Sequence, residues 1–569
     1  AVASRGIYEV CARRHRLVRR RYPMIRPTHL SAERKEQSSR EGCWRNRLLD
    51  DCIASLAKSN SAATAVVDDH HVISYSELDS LIDRFAAVLR TLGVKRGEVV
   101  SWQLPNWLES IIVHHASIRI GAISNPIVPI YRHREVAFIL KQTQASVVII
   151  PAKFRGFDFP SMIDDIRGDL ADLQHVIVVD RSGEGCAANN FDHLMSNVLE
   201  PSAATFTERS ADDVAVMIYT SGTTSDPKGV LHTHNTLDYE DQSIIDLFGL
   251  TGNDIVFMPS PLAHITGILY GLQLPFMVGS AVVLQDVWQP EAALSLIQKY
   301  RCTFMIAATP FLHGLVYDEE LTHADVSSLR VFGCGGADVP PELIRQAEKT
   351  LNCMTTRVYG SSEFPTLSAG NSKDSLELRA TTDGRLIGQA EYLVVDEDDN
   401  SLSPNNTGDL LVRGPELFVG YLDAKLNDEA FTSDGWFRTG DLAQINDQGF
   451  VTIKGRRKDI ILRGGENISA KEIEDLLFEH PAINDIAAVG MPDPVMVERI
   501  CAYVVLRPDM EITLQDITDF LEQHKIAKQK LPERLELIDV LPVTASGKIQ
   551  KFKLREDIAQ KLAAELSKT

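Results

Sequence analysis

No stretch of the 569-residue chain reaches the ~18 consecutive apolar residues that a membrane-spanning helix needs. The nearest approach, residues 111–130, is broken by His114, His115, Arg119 and Asn125, so no membrane span is expected. Basic residues are short as well: 58 Lys and Arg stand against 78 Asp and Glu, a formal charge of −20. Binding to a phosphate backbone needs a concentrated cationic face, so nucleic acid is disfavoured as a partner and small-molecule chemistry is expected. The eight cysteines are scattered, with no Cys-x-x-Cys spacing. That argues against a zinc or disulfide framework and suits a reducing, cytoplasmic compartment. The common nucleotide loop G-x-x-x-x-G-K-[ST] is also missing, and there is no internal repeat.

What is present is the composition of a globular protein, 44% hydrophobic and 24% charged, in a chain long enough for several domains. Residues 1–45 differ. Arg13, Arg14, Arg16, Arg19, Arg20 and Arg21 crowd a stretch with almost no acids, read as a disordered basic extension, either targeting sequence or sequence upstream of a start at Met24. From about residue 63, buried-strand runs alternate with amphipathic helical patterns, the sign of α/β layering. Residues 66–75 read as a hairpin, and residues 76–92 as a helix behind a Ser76 cap. Strands are predicted at residues 214–219, 329–332 and 356–359, each ending in a small-residue turn, where ligands gather in layered folds. Near Gly455 the composition turns to charge and a shorter pattern follows. A large domain over 46–457 and a small α+β domain over 458–569 are expected.

The chemistry-bearing strings lie at these turns. Tyr219-Thr220-Ser221-Gly222-Thr223-Thr224-Ser225-Asp226-Pro227-Lys228-Gly229 packs hydroxyls, a glycine and a lysine behind a predicted strand, the materials of a phosphate cradle. Gly335-Gly336-Ala337, Tyr359-Gly360-Ser361-Ser362-Glu363 and Thr439-Gly440-Asp441 follow, then Gly455-Arg456-Arg457-Lys458-Asp459 and Pro542-Val543-Thr544-Ala545-Ser546-Gly547-Lys548. Paired histidines at 70 and 71 and at 114 and 115 lack the spacing of metal ligands and are expected to be structural or exposed.

In their order, these strings resemble the adenylate-forming superfamily of acyl-CoA synthetases, luciferases and adenylation domains, over about residues 60–555. The resemblance implies a large multi-subdomain N-terminal domain with layered sheets and a small mobile α+β C-terminal domain. It implies that Thr220, Ser221, Gly222, Thr223, Thr224 and Lys228 hold the phosphates of ATP, that Gly335, Gly336 and Ala337 flank adenine, and that Tyr359 stacks on it beside Gly360. By the same resemblance Ser362 touches the α-phosphate, Glu363 holds Mg2+, Asp441 and Arg456 take the ribose, and Lys458 is the hinge. Lys548 would be the catalytic lysine of adenylation, His264 the gate beside the carboxylate, and Gly464-Gly465 the wall of the pantetheine tunnel for coenzyme A.

The implied reaction is acid, ATP and CoA to acyl-CoA, AMP and pyrophosphate. Segments 268–277 and 304–312 contain no Lys or Arg, which favours a neutral acid. Residues 125–132 and 284–288 look most like the cyclohexanecarboxylate-CoA ligase branch, so an alicyclic, aryl or medium-length acid is expected. A stand-alone enzyme loading a carrier-protein thiol, a luciferase-type oxygenase and a non-catalytic nucleotide module are the rival readings, and a homodimer is allowed. Two departures from the pattern stand out. Ser225 takes a usual glycine position, at a cost on the order of 1 kcal/mol if its φ is positive, and Ser362 replaces a threonine while keeping the hydroxyl.

Overall fold

The computed structural model describes residues 24–182, 190–198, 209–220, 227–463, 466–544 and 547–566. Nine strands form the largest sheet, and six of them, Thr64–Val67, Ala281–Leu284, Ile255–Met258, Phe304–Ala307, Val331–Gly335 and Met354–Tyr359, are neighbours in that order and parallel. Parallel pairing needs covered faces, and these strands read as unbroken apolar runs. A second sheet of six strands ends in the antiparallel pair Val214–Thr220 and Lys228–Thr233. Between strands runs the helix Leu108–Arg119, buried at every position. It therefore has no polar face to show as periodicity.

That helix carries His114 and His115. His114 Nδ1 lies 3.0 Å from Ser124 Oγ, and His115 Nε2 donates to the Leu272 carbonyl at 2.7 Å. Burial pushes His115 down to about 3, so it is a neutral core residue. The other pair closes the hairpin of Thr64–Val67 and Val72–Ser74: Asp68 Oδ1 accepts from the backbone N–H of both His70 and His71. Among the described residues no cluster of three or more His, Cys, Asp or Glu is placed to hold a metal, and no helix is long and apolar enough to cross a membrane.

A four-stranded antiparallel sheet, Glu391–Val395, Thr407–Arg413, Phe437–Ile445 and Val451–Arg456, leads through the short turn Arg457–Asp459 into the last sheet. That sheet is built on the long pair Ile483–Asp493 and Val497–Leu506, with helices Ala470–Leu477, Leu514–Gln523 and Lys551–Leu566 about it.

Three expectations need correction. The helix Tyr75–Thr91 is capped by Ser74 and not by Ser76, because Glu77 then stands three residues on and closes a reciprocal box. The strand expected at 329–332 runs Val331–Gly335, since Leu329 N–H is spent on a turn to the Val326 carbonyl. Residues 24–45 are not a loose extension. Helix Ala32–Arg40 is capped by Ser31, and Trp44 is 3% exposed with its Nε1 donating to the Pro415 carbonyl at 3.2 Å. Residues 1–23 lie outside the described residues.

Candidate active site

The neighbouring parallel strands Val331–Gly335 and Met354–Tyr359 end side by side, with Gly335 opposite Val358. A Cβ on Gly335 would come within 2.1 Å of the Val358 carbonyl, and one on Gly360 within 1.7 Å of the Pro365 carbonyl. Only glycine allows the two loops to leave the sheet this closely. Gly336 turns the chain at φ +77, and Ala337 follows it. The loops open a cleft whose lining includes His264, Tyr270, Ile306, Tyr359, Ser362 and Lys548.

On one side, Tyr359 Oη donates to Asp441 Oδ2 at 2.5 Å, and Arg456 Nε lies 3.3 Å from Asp441 Oδ1. Asp441 and Arg456 face each other across adjoining strands. Gly440, at φ +74, lets the chain bend so that the Asp441 N–H reaches Thr439 Oγ1 at 3.1 Å. Burial pushes the Asp441 carboxyl up, against the pull of Arg456.

Glu363 is held twice. Tyr421 Oη donates to its Oε1 at 2.9 Å, and the Phe418 N–H donates to its carbonyl at 2.8 Å. The loop beneath is fixed by His232, whose Nε2 donates to the Ser362 carbonyl at 2.8 Å while burial brings its pKa to about 4. Lys228 stands opposite Thr220 in register, its ammonium 5.3 Å from the Tyr421 ring centroid.

Lys548 arrives from the C-terminal part of the chain. Its N–H donates to Thr544 Oγ1 at 3.0 Å, the Thr544 N–H returns to the Lys548 carbonyl at 2.8 Å, and Gly547 makes the bend at φ +79. A Cβ on Gly547 would meet Pro310 Cγ at 2.8 Å, so glycine sets how closely this turn seats on helix Thr309–Val316. Burial, and then the charge of Arg456, lower the Lys548 ammonium to about 8. Burial and then Lys548 lower His264 to about 3. His264 is thus neutral, with Nδ1 accepting from the Thr266 N–H at 3.4 Å as the cap of the short helix Ile265–Gly267.

The cleft therefore brings together Gly335, Gly336, Tyr359, Gly360, Ser362, His264 and Lys548, with Asp441 and Arg456 joined to Tyr359. Lys458 sits in the turn Arg457–Asp459, where burial and then Arg456 lower it to about 8. Ser221, Gly222, Thr223, Thr224, Gly464 and Gly465 lie outside the described residues. Three contributors were missed from the sequence. Tyr421 and His232 sit in apolar or polar strings with no distinguishing pattern. Lys471, whose Nζ is 3.6 Å from Asp338 and 2.8 Å from Asp475, looks in sequence like a solvated helix lysine.

Among the described residues, a cysteine stands behind the cleft. Cys334 precedes Gly335 but is fully buried, its Sγ 3.9 Å from Thr309 Oγ1, and burial raises it to about 12.

Comparison with known proteins gives a consistent result. The pattern of the AMP-binding enzyme family matches residues 54–422, and that of the AMP-binding enzyme C-terminal domain matches residues 472–548. The medium-chain fatty-acid–CoA ligase of Escherichia coli (strain K12) is 36% identical over 94% of each chain. The 2-hydroxy-7-methoxy-5-methyl-1-naphthoate–CoA ligase of Streptomyces carzinostaticus is 34% identical over 90% of this chain and 94% of its own. The crystal structure of the anthranilate CoA ligase AuaEII in complex with anthranoyl-AMP superposes with a TM-score of 0.84 at 24% identity, covering 91% of this chain and 98% of that one, and so matches the fold.

Proposed function

Because the chain belongs to the AMP-binding enzyme family, we propose that it is an AMP-forming acid–CoA ligase acting on a neutral alicyclic, aryl or medium-length acid. The observation that carries this is Lys548 of the C-terminal part, set in the same cleft as His264, Tyr359 and Ser362. A carboxylate is too poor an electrophile to acylate a thiol, so it must first acquire a better leaving group, and ATP supplies AMP. The ammonium of Lys548 and the hydroxyl of Ser362 are placed to stabilise charge that develops as the carboxylate attacks the α-phosphorus. Tyr359, Asp441 and Arg456 orient the nucleoside, the carboxylate suiting two ribose hydroxyls because it offers acceptors only.

Glu363 fits a magnesium site. It is a single carboxylate oriented by Tyr421, and Mg2+ is commonly held by one or two carboxylates plus substrate phosphates. Bound there, the ion would neutralise phosphate charge. Lys228 and Thr220, at the mouth of the hydroxyl-rich loop, would hold the departing pyrophosphate. Neutral His264 would close the acyl end without adding charge. Thioester formation then calls for a different face of the C-terminal domain, with Lys458 as pivot and Gly464-Gly465 beside the incoming pantetheine.

Ile265, Tyr270, Ile306, Ala307, Val358 and Pro365 along the cleft support a neutral acyl group, as do relatives named for a medium-chain fatty acid and a naphthoate. A cyclohexanecarboxylate-type acid lies within this class. The test is acid-dependent pyrophosphate release over a panel of neutral acids, with and without CoA, followed by mass detection of the product. Release with a CoA thioester is the expected result. Adenylate formed without thioester would reassign the acceptor to a carrier protein, and no acid-dependent release would overturn the reading.

A further inference from the structure

The N-terminal segment expected from the sequence to be a disordered extension is wired, from residue 28 on, to Glu363. From helix Ala32–Arg40, the Arg34 guanidinium enters a ring of backbone carbonyls. It donates to Phe418 at 3.1 Å, Gly414 at 3.3 Å and Pro415 at 3.4 Å, and to Leu417. Its Nε is buried without a partner, and burial lowers its pKa to about 10. Trp44 Nε1 donates to the same Pro415 carbonyl. Nearby, the N–H groups of Thr28 and His29 both donate to the Val419 carbonyl, and Thr28 Oγ1 donates to the Tyr421 carbonyl at 2.7 Å. Gly420 lies so close that a Cβ would meet Thr28 Oγ1 at 2.2 Å.

The other side of this stretch faces the site. Phe418 N–H and Tyr421 Oη are the two donors on Glu363. Leu422 N–H donates to the Gly229 carbonyl at 2.7 Å, next to Lys228. Residues 414–422 are therefore a ribbon with the strap of residues 28–44 on its outer edge and the Glu363 loop on its inner edge. A guanidinium buried among backbone carbonyls is an expensive way to fill space, since its desolvation outweighs the pull of the Glu416 carboxyl. What it supplies is direction, because its rigid fork fixes where those carbonyls point.

We infer that the strap of residues 28–44 is a positioning device for the metal–nucleotide site, with Arg34 fixing the ribbon from which Phe418 and Tyr421 hold Glu363. The inference rests on the reading of Glu363 given above, and is independent of which acid is used. The test is the affinity of the full chain for Mn2+–ATP in the absence of acid, measured by water-proton relaxation, with thermal melting run alongside. Arg34→Gln is expected to weaken Mn2+–ATP on the order of tenfold, as loss of a group supporting a metal ligand does, with Arg34→Lys between it and the wild type. An Arg34→Gln protein that melts early yet binds Mn2+–ATP like the wild type would make the strap merely structural and overturn the inference. Should Arg34→Gln not fold, Thr28→Val serves: about threefold weaker binding supports the inference, and unchanged binding overturns it. A wild type that does not bind Mn2+–ATP removes the Glu363 reading and the strap together. An acid panel without product, alongside normal Mn2+–ATP binding, removes only the substrate assignment.

Discussion

Two lysines of the C-terminal part reach the same turn of the large domain, and the fold treats them oppositely. Lys471, on helix Ala470–Leu477, is 6% exposed and meets Asp475 at 2.8 Å and Asp338 at 3.6 Å. Burial works against its charge, but Asp338 and Asp475 more than offset it and hold its pKa above the ordinary value. Lys548 lines the cleft with Gly335 and Gly336, three and two residues before Asp338. Asp441 and Glu363 favour its charge only from a distance, and burial with Arg456 wins, bringing it to about 8. Burial alone thus does not decide the state of a lysine. A carboxylate in contact does, and Lys471 is a paired post while Lys548 keeps its ammonium for an anion that enters the cleft.

The contrast breaks most sharply on removal of Lys548. Lys548→Ala is expected to slow acid-dependent pyrophosphate release on the order of 10²–10³-fold, the scale of deleting one stabilising donor, while thioester formation from preformed acyl-adenylate persists. Equal losses in both half-reactions, followed by single-turnover mixing, would erase the distinction. Lys471→Met is expected instead to cost about 2 kcal/mol of stability, since it strands partly buried carboxylates. Urea unfolding measures it, and an unchanged midpoint would mean the pair contributes nothing.

A smaller effect separates the two by pH. Lys548 is protonated below about 8, so adenylation should be flat there and fall about tenfold per unit above it, with no such limb on thioester formation from the adenylate. For stability the signs oppose. The native pKa of Lys548 lies below its ordinary value of 10.5, so the unfolded chain binds the proton more tightly, and this group makes stability rise between about 8 and 10.5. Lys471 contributes stability that is present below 10.5 and lost as pH rises through its raised value. The stability of Lys548→Ala should differ from the wild type in pH dependence between about 8 and 10.5, and that of Lys471→Met above 10.5, with opposite signs.

What could be read from the chain was what is local. Tyr359, Glu363, Asp441 and Lys548 sit in short strings beside glycines that a tight turn requires, so each string announces a loop and a side chain at once. The parallel strands were legible because burial on both faces leaves an apolar run. Arg34, Tyr421 and Lys471 were not, because their roles come from partners outside their own strings: Arg34 and Leu417 are 383 positions apart, and Tyr421 and Glu363 are 58 apart. Arg34 looks in sequence like a solvated helix arginine, since the backbone carbonyls of Gly414, Pro415, Leu417 and Phe418 that it meets leave no trace in composition. The misplaced cap at Ser76 has a nearer cause, two serines competing for one helix start, decided by which one Glu77 can reach.

The buried cysteines bear on the proposed chemistry in another way. An acyl-adenylate is an electrophile that any thiolate nearby would intercept, and the thiolate is the reactive form of cysteine. Cys43, Cys302, Cys334, Cys353 and Cys501 are buried, and Cys52 is partly so. Burial holds all six thiols at about 11 to 12. A protein that makes an activated acyl group for a foreign thiol thus keeps its own described sulfurs protonated and buried away from that electrophile.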